Sequence, residues 1–313
     1  MTILITGGSG FIGLGLSRLL LEKGYRVVLF DMVPPDEDEK RGKGVPFIRG
    51  NISDWAEVCN VIKDWKVDHI FHLAAMLSAQ CEANPWAAMQ VNGLGTYHAL
   101  EASRLLGVKK VIFTSSMGAY GYTPGGIVND ETIQRPPIMY GVTKVFGELL
   151  GLYYHQRFGI DFRGVRFPQL VGPGIKSEGY GQYNPSMIES ALRGIPFEAW
   201  VTEETAIPIM YIKDAIRCLL ELFEAERSKI KTRLYCVGQI TPSPTAGALL
   251  KEIKKHIKNV LITFKPDPKV MDIIQTIPQT LDDKNARNEW GWSIHYGLKE
   301  MVEDFVKGFN PNL

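Results

Sequence analysis

The sequence predicts an α/β protein, a doubly wound parallel sheet followed by a smaller C-terminal α/β lobe. Three observations carry that prediction. Short apolar runs alternate with segments whose apolar residues recur at helical spacing. The first run opens onto a glycine-rich turn, Gly7-Gly8-Ser9-Gly10-Phe11-Ile12-Gly13, that leads directly into a helix. Beyond Phe167 the alternation gives way to a stretch dense in proline and glycine.

Residues 2–6 are apolar enough for a strand buried on both faces. From Phe11 to Lys23 the apolar positions follow a helical period and stop at Gly24, a C-cap residue. Residues 25–30 form the next strand and complete a βαβ unit. A short strand is expected at 46–49, and Asp54 can cap a helix over about 55–64. A strand at 68–73, a long helix from Pro85 to Leu106 and a strand from Lys110 to Ser115 follow. Next come a helix from Met139 to Arg157 and a strand from Asp161 to Phe167. The charged run Asp36 to Arg41 reads as a solvated loop. Residues 168–185 read as a long loop, with Pro168, Pro173 and Pro185 among four glycines; such loops are functional or mobile. Helices near 185–193, 214–224, 245–257 and 296–308 and strands at 207–212, 233–237 and 260–264 complete the chain. They divide between the far edge of the sheet and the second lobe. Residues 1–167, joined by about 206–238, are expected to form one unit and 168–313 mainly the other.

Composition excludes several classes. The 313 residues carry 35 basic and 34 acidic side chains, a net charge of +1, so there is no broad positive field for nucleic acid. No run of about 18 apolar residues predicts a membrane span. Met1 to Gly15 lacks a basic leader segment and reads as structure. Cys59, Cys81, Cys218 and Cys236 have no Cys-x-x-Cys spacing, and the histidines have no ligand spacing. No metal site or disulfide framework is expected; reduced thiols in a cytoplasmic protein are.

The chemistry lies in two motifs. A turn with glycine at 7, 10 and 13, between a strand and a helix, lets backbone approach a pyrophosphate at a helix N-terminus. Asp31, closing the second strand, can accept hydrogen bonds from both hydroxyls of an adenosine ribose and would repel a 2′-phosphate. No basic residue follows until Lys40, and Asp36 to Glu39 are acidic, so NAD is expected over NADP. Tyr140 and Lys144 stand at i and i+4 on one helix face, while Ser115 and Ser116 end a strand. A free phenol with a pKa of about 10 is a poor base at neutral pH, and a neighbouring ammonium favours the phenolate. Tyr140 could then take a hydroxyl proton while Ser116 holds the same oxygen and the carbon's hydride leaves to NAD+.

These stretches, with His72-Leu73-Ala74-Ala75, Asn92, Thr114-Ser115-Ser116 and Tyr120-Gly121, resemble the extended branch of the short-chain dehydrogenase/reductase superfamily. The resemblance implies a Rossmann domain that binds NAD, with Ser116, Tyr140 and Lys144 catalytic. It further implies a cofactor lining of Gly7, Gly10, Phe11, Ile12, Gly13, Asp31, Asn51, Ile52, Leu73, Ala74, Ala75, Asn92, Thr114 and Phe167, together with Tyr140 and Lys144. A homodimer through the helices at about 85–106 and 140–157 is also implied. Nearly end to end, the chain also resembles short-chain L-threonine 3-dehydrogenases. The matching stretches are His72 to Ala79, Arg166-Phe167-Pro168, Ile207 to Tyr211 with Asp214-Ala215, and Leu281-Asp282-Asp283 through Trp290-Gly291-Trp292. That implies oxidation of the 3-hydroxyl of L-threonine by NAD+ to 2-amino-3-oxobutyrate, with Ser78 beside Ser116 and Tyr140 at the substrate. Where that family has Gly-Thr-Thr-Asp-Tyr, this chain has Gly179-Tyr180-Gly181-Gln182-Tyr183; where it has Arg-Tyr-Pro-Gly, this chain has Arg166-Phe167-Pro168-Gln169. Gln169, Tyr180 and Gln182 are therefore expected at the substrate, and the departure leaves a related small polar secondary alcohol as the alternative to threonine. Two other readings fit the residues less well. A nucleotide-sugar 4-epimerase or dehydratase would use arginines for the diphosphate, but Thr205-Ala206 and Lys265-Pro266-Asp267-Pro268-Lys269 stand at those places. A non-catalytic NAD sensor would not need the intact Ser116, Tyr140 and Lys144. His72 is expected to pack behind the cofactor, and Trp290 and Trp292 to pack the C-terminal lobe.

Overall fold

The computed structural model describes residues 1–35, 44–121, 126–175 and 179–309; the charged run Asp36 to Arg41 lies outside them. The chain begins with β1 (Thr2–Thr6), α1 (Phe11–Glu22) and β2 (Arg26–Asp31), then β3 (Phe47–Arg49), α2 (Trp55–Asp64) and β4 (His69–His72). Two short helices follow, α3 (Ser78–Ala83) and α4 (Pro85–Ala88), with a π-helical turn at Met89–Leu94, α5 (Gly95–Leu106) and β5 (Lys110–Ser116). After these come β6 (Ile127–Val128), α6 (Met139–Phe158), β7 (Asp161–Phe167), β8 (Gln169–Val171), α7 (Tyr183–Arg193), β9 (Phe197–Ala199), β10 (Ile209–Tyr211) and α8 (Ile212–Glu224). The last elements are β11 (Leu234–Cys236), α9 (Ala246–His256), β12 (Ile262–Phe264), α10 (Pro268–Thr276), β13 (Thr280–Leu281), α11 (Lys284–Trp290) and α12 (Leu298–Gly308).

Seven strands pair in parallel in the order β11-β7-β5-β4-β1-β2-β3. β1 is buried along its whole length. One face of the sheet packs on α1 and α8 through Leu16, Leu20, Leu219 and Phe223. The other packs on α2, α5 and α6 through Val58, Ile62, Leu100 and Tyr154. Strand order reverses between β1 and β4, which leaves a crevice at their carboxyl ends. A third core, around Met187, Ile209, Leu249, Met301 and Phe305, joins α7, α9 and α12 to three two-stranded parallel sheets, β10–β8, β12–β9 and β13–β6.

The expected α/β alternation holds through β7. Asp54 caps α2 by accepting from Glu57 N at 3.0 Å, and Gly24 ends α1 with φ +82°. The differences follow from length and packing. The helix expected from Pro85 to Leu106 is interrupted by the π-helical turn, where Gly95 packs so closely on Ile52 that a Cβ would lie 2.9 Å from its Cγ2. The stretch read as a loop from 168 to 185 contains β8 and the first turn of α7. The strand expected at 207–212 is the three-residue β10, and it pairs with β8 outside the main sheet. α3, β6, β9, α10, β13 and α11 are too short for periodicity to reveal.

The C-terminal return is fastened to α8. The fully buried carboxylate of Asp214 accepts from Arg217 Nη2 at 2.7 Å, from His295 N at 3.1 Å and from Tyr296 N at 2.9 Å, and the Arg217 guanidinium lies 4.7 Å from the centre of the Trp292 ring. Replacing Asp214 with alanine strands these donors and is expected to cost about 3–5 kcal/mol. Thermal denaturation followed by circular dichroism would read this as a fall in Tm of roughly 2–4 °C for each kcal/mol.

Candidate active site

The crevice opens into one continuous cleft. Its walls include Gly7, Gly10, Phe11, Ile12, Gly13, Asp31, Ile52, Leu73, Ala74, Ala75, Thr114 and Phe167. They also include Ser116, Tyr140 and Lys144 and, toward the C-terminal lobe, Ser78, Gln169, Tyr180 and Gln182. Asn51 and Asn92 stand off these walls. The Asn51 Oδ1 accepts from Ser53 N at 2.9 Å in the turn before α2. The buried Asn92 spends its amide behind the cleft: Oδ1 accepts from Met76 N at 2.7 Å, and Nδ2 donates to Met76 O at 3.1 Å and Thr143 Oγ1 at 3.0 Å. It thereby fixes the segment after β4 from the rear.

The glycine turn owes its shape to close contacts. Gly7 has φ +69°, and a Cβ there would lie 2.7 Å from Ala74 N; at Gly13 a Cβ would lie 2.7 Å from Gly7 O. Gly10 N donates to Gly7 O at 3.1 Å, and α1 starts without a side-chain cap, so its first-turn N–H groups are left for an anion. Asp31 Oδ2 accepts from Ser9 N at 3.1 Å and Oδ1 from Val33 N at 3.3 Å, which holds the carboxylate at the rim of the turn.

Behind the turn runs a polar chain. Ala74 N donates to Thr6 Oγ1 at 3.4 Å, which meets His72 Nδ1 at 2.8 Å; His72 Nε2 meets Thr96 Oγ1 at 3.0 Å, and Thr96 donates to Asn92 O at 2.6 Å. Since the Thr96 hydrogen is committed to Asn92 O, His72 donates through Nε2 and accepts from Thr6 through Nδ1. Burial, helped by the nearby Lys144 charge, pulls the His72 pKa down to about 3, so the ring is neutral. His72 thus packs as a structural link, as expected from the sequence.

At the cleft floor Ser116 ends β5 and Tyr140 opens α6. Ser116 Oγ accepts from Gly118 N at 3.1 Å, which leaves its own hydrogen free to donate. Burial drives the Tyr140 phenol above its ordinary pKa; a hydrogen bond with Ser116 works the other way, and Cys81 and Tyr180 add to the rise. Lys144 Nζ donates to Thr114 O at 2.8 Å and lies 5.4 Å from the centre of the Tyr140 ring. Burial lowers its pKa to about 8, against the pull of Cys81 and Glu148. Across the cleft, burial raises the Tyr180 phenol to about 12, and its carbonyl accepts from Trp200 Nε1 at 3.3 Å. Met76, Gln80, Met117, Ile138 and Pro168 line the same cleft. Of these, sequence reasoning missed Met76, Gln80, Met117 and Ile138, although Met117 and Ile138 adjoin the Ser116 and Tyr140 motifs. An acid–base pair beside a phosphate cradle can couple proton and hydride removal from a carbinol.

Residues 3–238 match the model of the NAD dependent epimerase/dehydratase family. The chain belongs to that family. It is an NAD-dependent oxidoreductase of the extended short-chain type, and NAD is its cofactor. The cleft fits this cofactor: the glycine cradle is one that a Cβ would fill, and the buried Ser9 Oγ has no hydrogen-bond partner among the described residues. The mitochondrial L-threonine 3-dehydrogenase of Bos taurus is 34% identical over 305 residues, covering 96% of this chain and 80% of that protein. The holo structure of the GalE-like L-threonine dehydrogenase from Cupriavidus necator is 31% identical with a TM-score of 0.89, covering 98% of this chain and 99% of that one. The UDP-glucose 4-epimerase of Thermotoga maritima, solved with UDP-glucose, is 26% identical with a TM-score of 0.85 over 98% of both chains. Among the described residues no helix is long and apolar enough to cross a membrane.

Gly7→Ala places a methyl group against the Ala74 backbone in a left-handed conformation. Its expected effect is at least an order-of-magnitude loss of NAD+ affinity, measured by isothermal calorimetry.

Proposed function

We propose that this protein oxidises a small polar secondary alcohol with NAD+, and that the substrate is L-threonine, whose 3-hydroxyl becomes the ketone of 2-amino-3-oxobutyrate. The observation that carries this reading is the placement of Ser116, Tyr140 and Lys144 on one cleft floor, facing a substrate end bounded by Ser78, Gln169, Tyr180 and Gln182. The similarity to L-threonine dehydrogenases over nearly the whole chain supports it.

When bound, NAD+ supplies a hydride acceptor and a positive ring charge. Tyr140 is the base: its oxygen takes the hydroxyl proton of the substrate. Ser116 donates to the same substrate oxygen and fixes its position. Lys144, anchored by Thr114 O, lends the charge that opposes the burial of the phenolate. Asp31 binds the adenosine ribose diol and selects NAD over NADP.

Residues 1–167, joined by about 206–238, form the cofactor unit in this reading, and 168–313 supply mainly the substrate lobe. The pairing of β11 with β7 and the packing of α8 on the sheet support that division. Val142, Phe146, Leu149 and Tyr153 make an exposed apolar stripe on α6, with Tyr97 exposed on α5, which supports a homodimer. Four free cysteines support a reducing, cytoplasmic location. The likeness to a UDP-glucose 4-epimerase favours a second reading, transient sugar oxidation by the same Tyr140. Against it, Thr205 before β10 bonds Thr202, and Lys265 pairs with Glu198 at 3.3 Å on the surface.

The test offers the protein and NAD+ L-threonine, other 3-hydroxy amino acids, simple secondary alcohols and UDP-sugars, with NADH followed by absorbance and sugars by product analysis. Threonine turnover with stoichiometric NADH is the expected result; UDP-sugar interconversion without net NADH sinks the dehydrogenase reading. Tyr140→Phe is expected to lower kcat by roughly 10²–10⁴ with NAD+ affinity nearly unchanged. With NADP+ in place of NAD+, kcat/KM is expected to fall at least tenfold, and Asp31→Ser to narrow that gap; comparing the four kcat/KM values tests the role of Asp31.

A further inference from the structure

Beneath the catalytic trio lies a buried charge pair for which the proposed mechanism has no use. Glu148 follows Lys144 by one helical turn on the same face of α6 and is fully buried. Its Oε1 accepts from Arg166 Nε at 3.0 Å and from the Ser115 hydroxyl. Its Oε2 accepts from Arg166 Nη2 and from Gln134 Nε2, both at 2.7 Å. The buried Arg166 continues the network, donating through Nη1 to Tyr120 Oη at 2.8 Å and to Asp130 O at 2.9 Å. One carboxylate therefore joins the catalytic helix to the end of β5, the end of β7 and the segment that leads into α6. Ser115 is the immediate neighbour of Ser116, and Arg166 precedes Phe167 of the cleft wall.

We propose that Glu148 is a positioning residue for the reaction: through Ser115 and Arg166 it sets the height of α6 against the strand ends, and its charge keeps the Lys144 ammonium in place beside Tyr140. This rests on the base and ammonium roles given to those two residues above. The groups that face Lys144 come from four elements. From β5 come the Thr114 carbonyl and the Phe113 ring, 5.1 Å from Nζ. From β4 comes His72, held neutral, and from α3 comes Cys81, whose thiol burial pushes up. From α6 come Tyr140 and Glu148, and Arg166 of β7 lies behind Glu148. Cys81 and Glu148 both raise the Lys144 pKa against burial, Cys81 the more; with burial pushing up the Cys81 thiol, Glu148 is the carboxylate of this set.

The sign of the effect follows. Glu148→Gln removes the negative charge and leaves Arg166 uncompensated, so Lys144 gives up its proton at lower pH. Two readouts test this. In carbon-13 NMR of ε-labelled lysine, with the Lys144 signal assigned by Lys144→Arg, the Lys144 midpoint in Glu148→Gln is expected to fall by about one unit. Glu148→Asp, which keeps the charge, is expected to retain the midpoint. In the NADH assay Glu148→Gln is expected to lose on the order of 10²-fold in kcat, with its alkaline limb moved to lower pH. An unmoved Lys144 midpoint overturns the proposal, including the case in which kcat and Tm both fall, because that pattern marks a merely structural role. If Glu148→Gln does not fold, Ser115→Ala removes only the strand tether: a severalfold loss of kcat with Tm and NAD+ affinity unchanged supports the proposal, and normal kcat, or a loss of kcat matched by a fall in Tm, overturns it. Tyr140→Phe in the same assay separates the two ideas. Activity there sinks the base assignment, while the Lys144 titration still judges Glu148.

Discussion

The cleft depends on how closely the chain after β1 can approach the chain after β4. At Gly7 the two backbones come so near that a single methyl group would strike Ala74. That approach sets the turn, the turn sets the start of α1, and the same segment passes on through Ala75 and Met76 along the cleft wall. The Thr6–His72–Thr96–Asn92 chain braces it from behind, with every hydrogen assigned a partner. A neutral histidine suits this place, since a charged one would face the Lys144 ammonium across a dry interior.

Polar groups are concentrated on the underside of α6 for a related reason. A phenol and an ammonium buried together are costly to charge, and burial pushes the two in opposite directions, both away from the ionised forms. The protein meets part of that cost with fixed partners: a strand carbonyl for Lys144 and a serine for Tyr140. The remainder falls to charge from the cofactor and from within the protein. The ligand-free cleft therefore holds the Tyr140 phenol protonated.

Much of the sheet was legible because its strands are continuous apolar runs and its helices begin and end at residues with one mechanical use, such as Asp54 and Gly24. The glycine turn and the Tyr140–Lys144 spacing were legible because backbone approach and helix geometry leave few alternatives. Asn51 and Asn92 show the limit: sequence can place an amide near a cofactor but cannot tell which neighbour it bonds, and both amides serve the surrounding backbone. The Glu148–Arg166 pair was invisible for the same reason, since its two residues meet only when α6 packs on β7. The C-terminal lobe was least legible. Its strands of two or three residues pair across long sequence separations, as β6 does with β13, and carry no period of their own.

The path of the chain through the sheet has a consequence for how the protein is made. β7 is followed not by its outer neighbour but by β8, α7, β9, β10 and α8, and only then does β11 return to pair with it. During synthesis the outer edge of β7 stays open while those elements emerge, and an open strand edge invites pairing with another chain. Buried Arg163 likewise waits for the carbonyls of Leu222 and Ala225. A chain stopped within this interval would hold the glycine turn complete on a sheet whose outer edge is still unsealed.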